Sequence, residues 1–235
     1  MHTQLLINQL KTDDHTVRIK LLGDSITHGV GGTGFIQDGD VITGDFRQNP
    51  NGYCWANLFR DYMEKTYNCK VINHACTGTK IEFILQNFDT LVSKDDDIIL
   101  CAIGTNNRHQ CFTDGEKRTC EEQTQRVYDY ILALAEKFRE ANIPVIFIAN
   151  IPSSEENEKD GTYYWRILHM SNINDLYKKA AGVCQFPLVS LYDIFTDYCR
   201  NEQITIDSLL ADGLHPNDNG HKIIFETLLQ EFGLV

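Results

Sequence analysis

Apolar residues fall in five short runs, at 17–22, 70–73, 97–103, 144–150 and 187–191. Runs such as Ile98-Ile99-Leu100-Cys101-Ala102-Ile103 and Val145-Ile146-Phe147-Ile148-Ala149 have no polar face. That is the pattern of strands covered on both sides within a parallel sheet. The first run differs: Arg18 and Lys20 alternate with Val17 and Ile19, which predicts a strand whose early end is partly solvated. Between the runs the period lengthens. Val127, Ile131, Leu134, Ala135 and Phe138 form one stripe of a helix over 119–141, and Thr119 followed by Glu122 reads as a capping box at its start. Further helices are predicted over 53–67, 81–91, 166–183 and 220–232. Strand and helix alternating along the whole chain predict one α/β domain over 1–235, with its core at about 16–233. Two long irregular segments remain, 30–52 and 153–162, and loops of that length in a compact domain tend to carry function.

Composition narrows the classes. The 235 residues are 42% hydrophobic and 23% charged, the balance of an ordinary globular protein. With 21 Lys+Arg against 33 Asp+Glu the formal net charge is −12, which repels phosphate backbones and anionic lipid surfaces and argues against a nucleic-acid partner. The apolar runs are far short of the ~20 residues of a membrane helix, so no membrane span is expected. The first residues, Met1-His2-Thr3-Gln4-Leu5, carry neither a basic stretch nor a sustained apolar one, so no signal peptide is read there. The eight cysteines include no C-x-x-C pair, and Cys101 lies inside an apolar run. Scattered thiols fit a reducing, cytoplasmic setting better than a disulfide framework.

The candidate chemistry sits where strands end. The first run closes on Gly23-Asp24-Ser25, which sets Ser25 at the carboxyl edge of the sheet, where open α/β folds bind ligands. A serine hydroxyl is a weak nucleophile and needs a neutral imidazole as base, oriented by a third group. Asp212-Gly213-Leu214-His215-Pro216 offers both: a D-x-x-H turn can hold the carboxylate against one ring nitrogen and leave the other facing Ser25. After the second strand comes Cys76-Thr77-Gly78-Thr79, and after the third Gly104-Thr105-Asn106-Asn107. The Gly78 backbone N–H and the Asn106 amide are suitable donors for the oxyanion of a tetrahedral intermediate.

Taken together, these blocks resemble the SGNH (GDSL) hydrolases. The four motifs of that family look like Gly23-Asp24-Ser25, Gly78, Asn106 and Asp212-Gly213-Leu214-His215-Pro216, in order, across roughly residues 19 to 221. The resemblance implies a flavodoxin-like three-layer α/β/α sandwich, its five-stranded parallel sheet in the order 2-1-3-4-5. It also implies hydrolysis of a small-molecule or glycan acyl ester, most simply an acetyl ester, without a cofactor. Acyl transfer to another hydroxyl, and longer-chain lysophospholipase or thioesterase work, are the alternatives within the same chemistry; a silent ligand-binding module is the alternative outside it. By the same resemblance Ser25 is the nucleophile, His215 the base, Asp212 its orienting group, and the Ser25 N–H, Gly78 N–H and Asn106 amide the oxyanion hole. Asp24 takes a structural role. The chain departs from the family pattern at Asn107, where Asp is usual, and at Ala75, where Gly is usual. His28, three residues past Ser25, and Asn107 are the candidate substrate contacts.

Rival readings are weaker. Gly29-Val30-Gly31-Gly32-Thr33-Gly34 is a literal G-x-G-x-x-G, but the dinucleotide fingerprint joins strand directly to helix. Here turn-forming residues follow, so the glycines are expected to carry a loop close to the substrate pocket. The eight histidines show no spacing of a metal site, and none is expected. Tyr163-Tyr164-Trp165 and the pair Tyr53/Trp55 read as core before they read as sugar platforms, and Asp95-Asp96-Asp97 as a solvated turn.

Overall fold

A computed structural model describes residues 2–11, 15–35, 38–40, 45–47, 49–109, 118–160 and 166–235. In chain order the elements are α1 (His2–Leu10), β1 (Val17–Gly23), α2 (Ser25–His28), β2 (Asp38–Asp40), β3 (Asp45–Arg47), α3 (Trp55–Thr66), β4 (Cys69–Asn73), α4 (Ile81–Gln86), α5 (Phe88–Leu91) and β5 (Ile98–Ala102). There follow α6 (Cys120–Ala141), β6 (Val145–Ala149), α7 (Glu155–Glu158), α8 (Met170–Cys184), β7 (Leu188–Ser190), α9 (Leu191–Glu202) and α10 (Asp218–Glu231). Five strands form one parallel sheet in the order β4-β1-β5-β6-β7. Counting only these strands, that is the 2-1-3-4-5 order the resemblance implied. The short β2 and β3 pair antiparallel with each other inside the segment after Ser25.

The sheet is covered on both faces because its strands are apolar at consecutive positions. Ile98, Leu100 and Ala102 of β5 face one core with Ile146 and Ile148 of β6, against Phe59 and Met63 of α3, Phe195 of α9 and Ile224 and Leu228 of α10. The intervening Ile99, Cys101 and Phe147 face the other, against Val127, Ile131, Leu134 and Phe138 of α6 and Ile173 and Tyr177 of α8. This period-two division of an unbroken apolar run makes the three-layer sandwich. The capping box forms: the Thr119 N–H donates to Glu122 at 2.8 Å, and the Glu122 N–H to the Thr119 hydroxyl at 3.2 Å.

Several expectations are corrected. Lys20 is buried, not solvated: its ammonium lies 2.6 Å from the Asp96 carboxylate and donates to the Leu91 carbonyl at 2.8 Å. Asp96 is buried with it and Asp97 accepts the Arg18 N–H, so of the acidic triplet Asp95 alone is exposed. The helix expected over 81–91 breaks at Asn87, whose side chain donates back to the Phe83 carbonyl. The helix expected from 166 starts at Met170, because the Ile167 N–H pairs with the Arg108 carbonyl instead. Three helices, α1, the short α2 and α9, come in addition to those predicted, and the segment 153–162 contains the short α7. Trp55 is core, 2% exposed, while Tyr163, Tyr164 and Trp165 lie outside the described residues. Among the described residues no helix is long and apolar enough to cross a membrane.

Candidate active site

Four segments meet at the carboxyl edge of the sheet. Ser25 opens α2 immediately after β1, and Asp24 caps that helix by accepting the Ile26 N–H at 3.1 Å. Asp24 is fully buried and is held by the Asn150 amide at 3.1 Å. Burial pushes its carboxyl above the ordinary range, opposed by hydrogen bonds from Thr105 and Ile26. The structural role expected for Asp24 is the one its partners define.

His215 reaches Ser25 from the far end of the sequence. Its Nε2 lies 2.8 Å from Ser25 Oγ, and its Nδ1 lies 2.7 Å from Asp212 Oδ2. The other Asp212 oxygen accepts the backbone N–H groups of His215 at 2.8 Å and Leu214 at 3.1 Å. Burial alone would raise the Asp212 carboxyl, but the His215 and Leu214 hydrogen bonds outweigh it and hold it below its ordinary value. An ionised carboxylate only accepts, so Nδ1 carries the ring proton and Nε2 accepts from the Ser25 hydroxyl. The structure therefore brings Ser25, His215 and Asp212 together as the sequence predicted.

The two expected oxyanion donors follow the two strands bonded to β1. Gly78, after β4, is exposed with φ at +81°, a conformation that favours glycine. Asn106, after β5, donates one amide hydrogen to the Thr79 carbonyl at 3.0 Å. That bond ties the two donor loops together.

The two candidate substrate contacts fare differently. Asn107 is fully buried: its oxygen accepts the Ile81 N–H at 3.0 Å, its amide donates to Glu82 at 2.7 Å, and its carbonyl accepts from Gln123 at 2.8 Å. It braces the start of α4 and has no surface to offer a substrate, which corrects that expectation. His28 is 5% exposed, lies 3.3 Å from the Thr77 hydroxyl through Nδ1, and packs edge-on against Phe35. Burial lowers its pKa. Its Nε2 has no hydrogen-bond partner among the described residues.

Sequence reasoning passed over a second buried layer. Arg108, 1% exposed, donates to Glu158 at 3.0 Å, and Arg166 donates to Asn157 at 3.1 Å. Next to them the Ser154 N–H donates to the Gly213 carbonyl at 2.8 Å, joining this layer to the D-x-x-H turn. Arg108 follows the Gly104–Asn107 block and Arg166 opens a segment read as a helix, and nothing in the local pattern of either marks it as buried. Among the described residues no group of three or more His, Cys, Asp or Glu side chains is arranged to hold a metal ion.

A hydroxyl, an imidazole and a carboxylate in line are the arrangement of sites that transfer acyl groups through a serine. Residues 21–223 match the sequence model of the GDSL-like lipase/acylhydrolase family, and the chain belongs to that family. It is by that membership a carboxylic ester hydrolase. Solved structures agree in fold. An acetyl xylan esterase aligns with a TM-score of 0.66 at 18% identity, over 92% of this chain and 99% of its own. An acetylxylan esterase of Geobacillus stearothermophilus aligns at 0.67 and 16% identity, over 93% and 95%. A lipase/acylhydrolase of Enterococcus faecalis aligns at 0.64 and 18% identity, over 92% and 94%. No curated protein sequence matches the chain.

Proposed function

We propose that the chain hydrolyses a small acyl ester, most simply an acetyl ester of a sugar-like alcohol, through an acyl-enzyme on Ser25, within one catalytic domain over about residues 16–233. The observation that carries this reading is the unbroken relay from Ser25 Oγ to His215 Nε2 at 2.8 Å and from His215 Nδ1 to Asp212 at 2.7 Å. Ser25 Oγ attacks the ester carbonyl carbon as its proton passes to His215 Nε2. The oxyanion is held by the N–H groups of Ser25 and Gly78 and the free amide hydrogen of Asn106. Collapse expels the alcohol, which takes the proton from His215 and leaves the acyl group on Ser25. Water then attacks, gives its proton to His215, and the acid departs as Ser25 recovers it. Asp212 orients the ring and stabilises the imidazolium.

The short acyl group is supported by the segments around Ser25, which are rich in Gly, Thr, Asn, His and Asp. A long acyl chain needs a contiguous apolar channel, worth about 0.8 kcal/mol for each CH₂ it buries. That two of the structural neighbours are acetyl xylan esterases favours an acetylated carbohydrate. Rates across p-nitrophenyl esters from two to twelve carbons test the acyl length: kcat/KM is expected to peak at acetyl or propionyl, and a maximum at octanoyl or beyond overturns that part. Ser25→Ala should abolish nearly all hydrolysis with the fold intact, and activity within a few-fold of wild type would overturn the mechanism.

A further inference from the structure

The glycine-rich run Gly29–Gly34, which resembled a nucleotide loop, lies against the segment that carries His215. A methyl group placed on Gly31 would sit 2.3 Å from the Pro216 carbonyl oxygen, and one on Gly32 would sit 1.9 Å from the Tyr53 carbonyl oxygen. Gly31 also has φ at +91°. Side chains are absent here because backbone packs on backbone, Gly31 on the residue that follows the base and Gly32 on the residue before Cys54.

Hydrogen bonds hold the two runs together. The Thr33 N–H and the Thr33 hydroxyl both donate to the Asp218 carboxylate, each at 2.7 Å. Asp218 is the first residue of α10, three past His215. One turn further on, His221 is fully buried; its Nε2 lies 3.1 Å from the Val30 carbonyl, and its Nδ1 accepts the Trp55 N–H at 3.4 Å. A carbonyl on one side and an N–H on the other fix the ring as neutral and protonated at Nε2.

The need for such a clasp follows from topology. Ser25 and the oxyanion loops hang from hydrogen-bonded strands, whereas His215 stands on a turn before α10 that belongs to no strand of the sheet. The 2.8 Å contact between residues 190 positions apart therefore depends on links between that turn and the segment after Ser25. Misplacement by about 1 Å can cost on the order of 10²-fold in rate. We propose that Thr33 and Asp218, together with His221 on Val30, are positioning residues that seat the His215 turn on the Gly31 backbone and so set the base on the nucleophile. The inference rests on the serine mechanism proposed above.

The test is the second-order rate of Ser25 labelling by a fluorophosphonate, read by mass spectrometry, together with kcat and KM on p-nitrophenyl acetate. Thr33→Val and Asp218→Ala should each slow labelling and lower kcat about tenfold with KM within twofold. Thr33→Ser should behave as wild type, and the Thr33→Val/Asp218→Ala double variant no worse than Asp218→Ala alone, because Thr33→Val removes the hydroxyl's bond, one of the two that Asp218→Ala removes together. Thr33 is exposed, so its variants should fold even if Asp218→Ala does not. Labelling and kcat within twofold of wild type in Thr33→Val, a loss confined to KM, or losses that multiply in the double variant would overturn the clasp alone. Failure of wild type to label at Ser25 would overturn the serine mechanism and the clasp with it.

Discussion

Asn107→Asp exchanges one atom and adds one charge inside the brace between the two oxyanion loops. In the native protein the Asn107 amide donates to Glu82 at 2.7 Å while its oxygen accepts the Ile81 N–H. In the variant a carboxylate meets a carboxylate. Two unit charges ~4 Å apart repel by about 4 kcal/mol at an effective dielectric constant of ~20. The lost hydrogen bond to a charged acceptor adds about 1.5–3 kcal/mol. Holding one proton between the two carboxyls relieves part of this, so the folded variant then binds more protons than its unfolded chain. Its stability therefore falls as pH rises, by up to about 1.4 kcal/mol per pH unit. Urea unfolding should place variant and wild type close together near pH 4.5 and about 4 kcal/mol apart at pH 8. Glu82→Gln, which turns an amide toward the new carboxylate, should close most of that gap. In parallel, kcat on an acetyl ester should fall at pH 8, since Asn107 directly follows Asn106 and Ile81 follows the Gly78 loop. A variant that tracks wild type at both pH values, or one that Glu82→Gln does not restore, would refute the reasoning.

Asn106→Ala should lower kcat on p-nitrophenyl acetate by about 10²–10³ with little change in KM, as expected for a donor that acts in the transition state. Asp212→Asn should lower kcat by about 10³–10⁴ in the same assay, because it no longer fixes the proton on Nδ1 of His215. Acid should destabilise the fold through His221, which burial pushes from 6.5 to about 4 although its hydrogen bond to Val30 opposes this. Between those values the unfolded chain binds more protons, so stability falls as pH drops from about 6.5, by about 2 kcal/mol at pH 5. Urea unfolding of His221→Asn should show a correspondingly shallower loss between pH 7 and 5.

How much of this was legible in the sequence depends on whether the signal was local. The unbroken apolar runs at β5 and β6 report their own burial, and the Thr119–Glu122 cap needs residues only three apart. The Asp212–His215 pair is local too, so its geometry follows from spacing. Lys20 was misread because a lysine in a strand signals solvent unless its partner is known, and Asp96 lies 76 positions away. The helix α9 buries Leu191 and Phe195 on a stripe that was present in the sequence, but Leu191 had been taken as the end of a strand. Asn107 could not be placed from its neighbours, since an amide beside an oxyanion donor serves a brace as readily as a substrate. The glycines of the 29–34 run were expected to carry a loop close to the substrate pocket. What approaches Gly31 is the backbone of Pro216, next to His215, and what approaches Gly32 is that of Tyr53, pairings that only the assembled fold shows.

The position of β1 between β4 and β5 has a consequence for how such an enzyme can be altered. Adjacent strands stand about 4.8 Å apart, so the spacing of the Gly78 and Asn106 loops on either side of Ser25 is ruled by the sheet. The segment from 35 to 48 is tethered differently: the Asn49 amide donates to the Gly34 carbonyl at 2.7 Å, closing its two ends onto each other, and Asn57 holds Asn49 and Gly52 in turn. A stretch whose ends meet can be exchanged for another without moving what lies outside it. Loop grafting should therefore cut between Gly34 and Asn49, leaving Thr33 and Gly52 untouched. A library built in that window would vary this stretch while leaving Ser25, His215, Asp212, Gly78 and Asn106 in place.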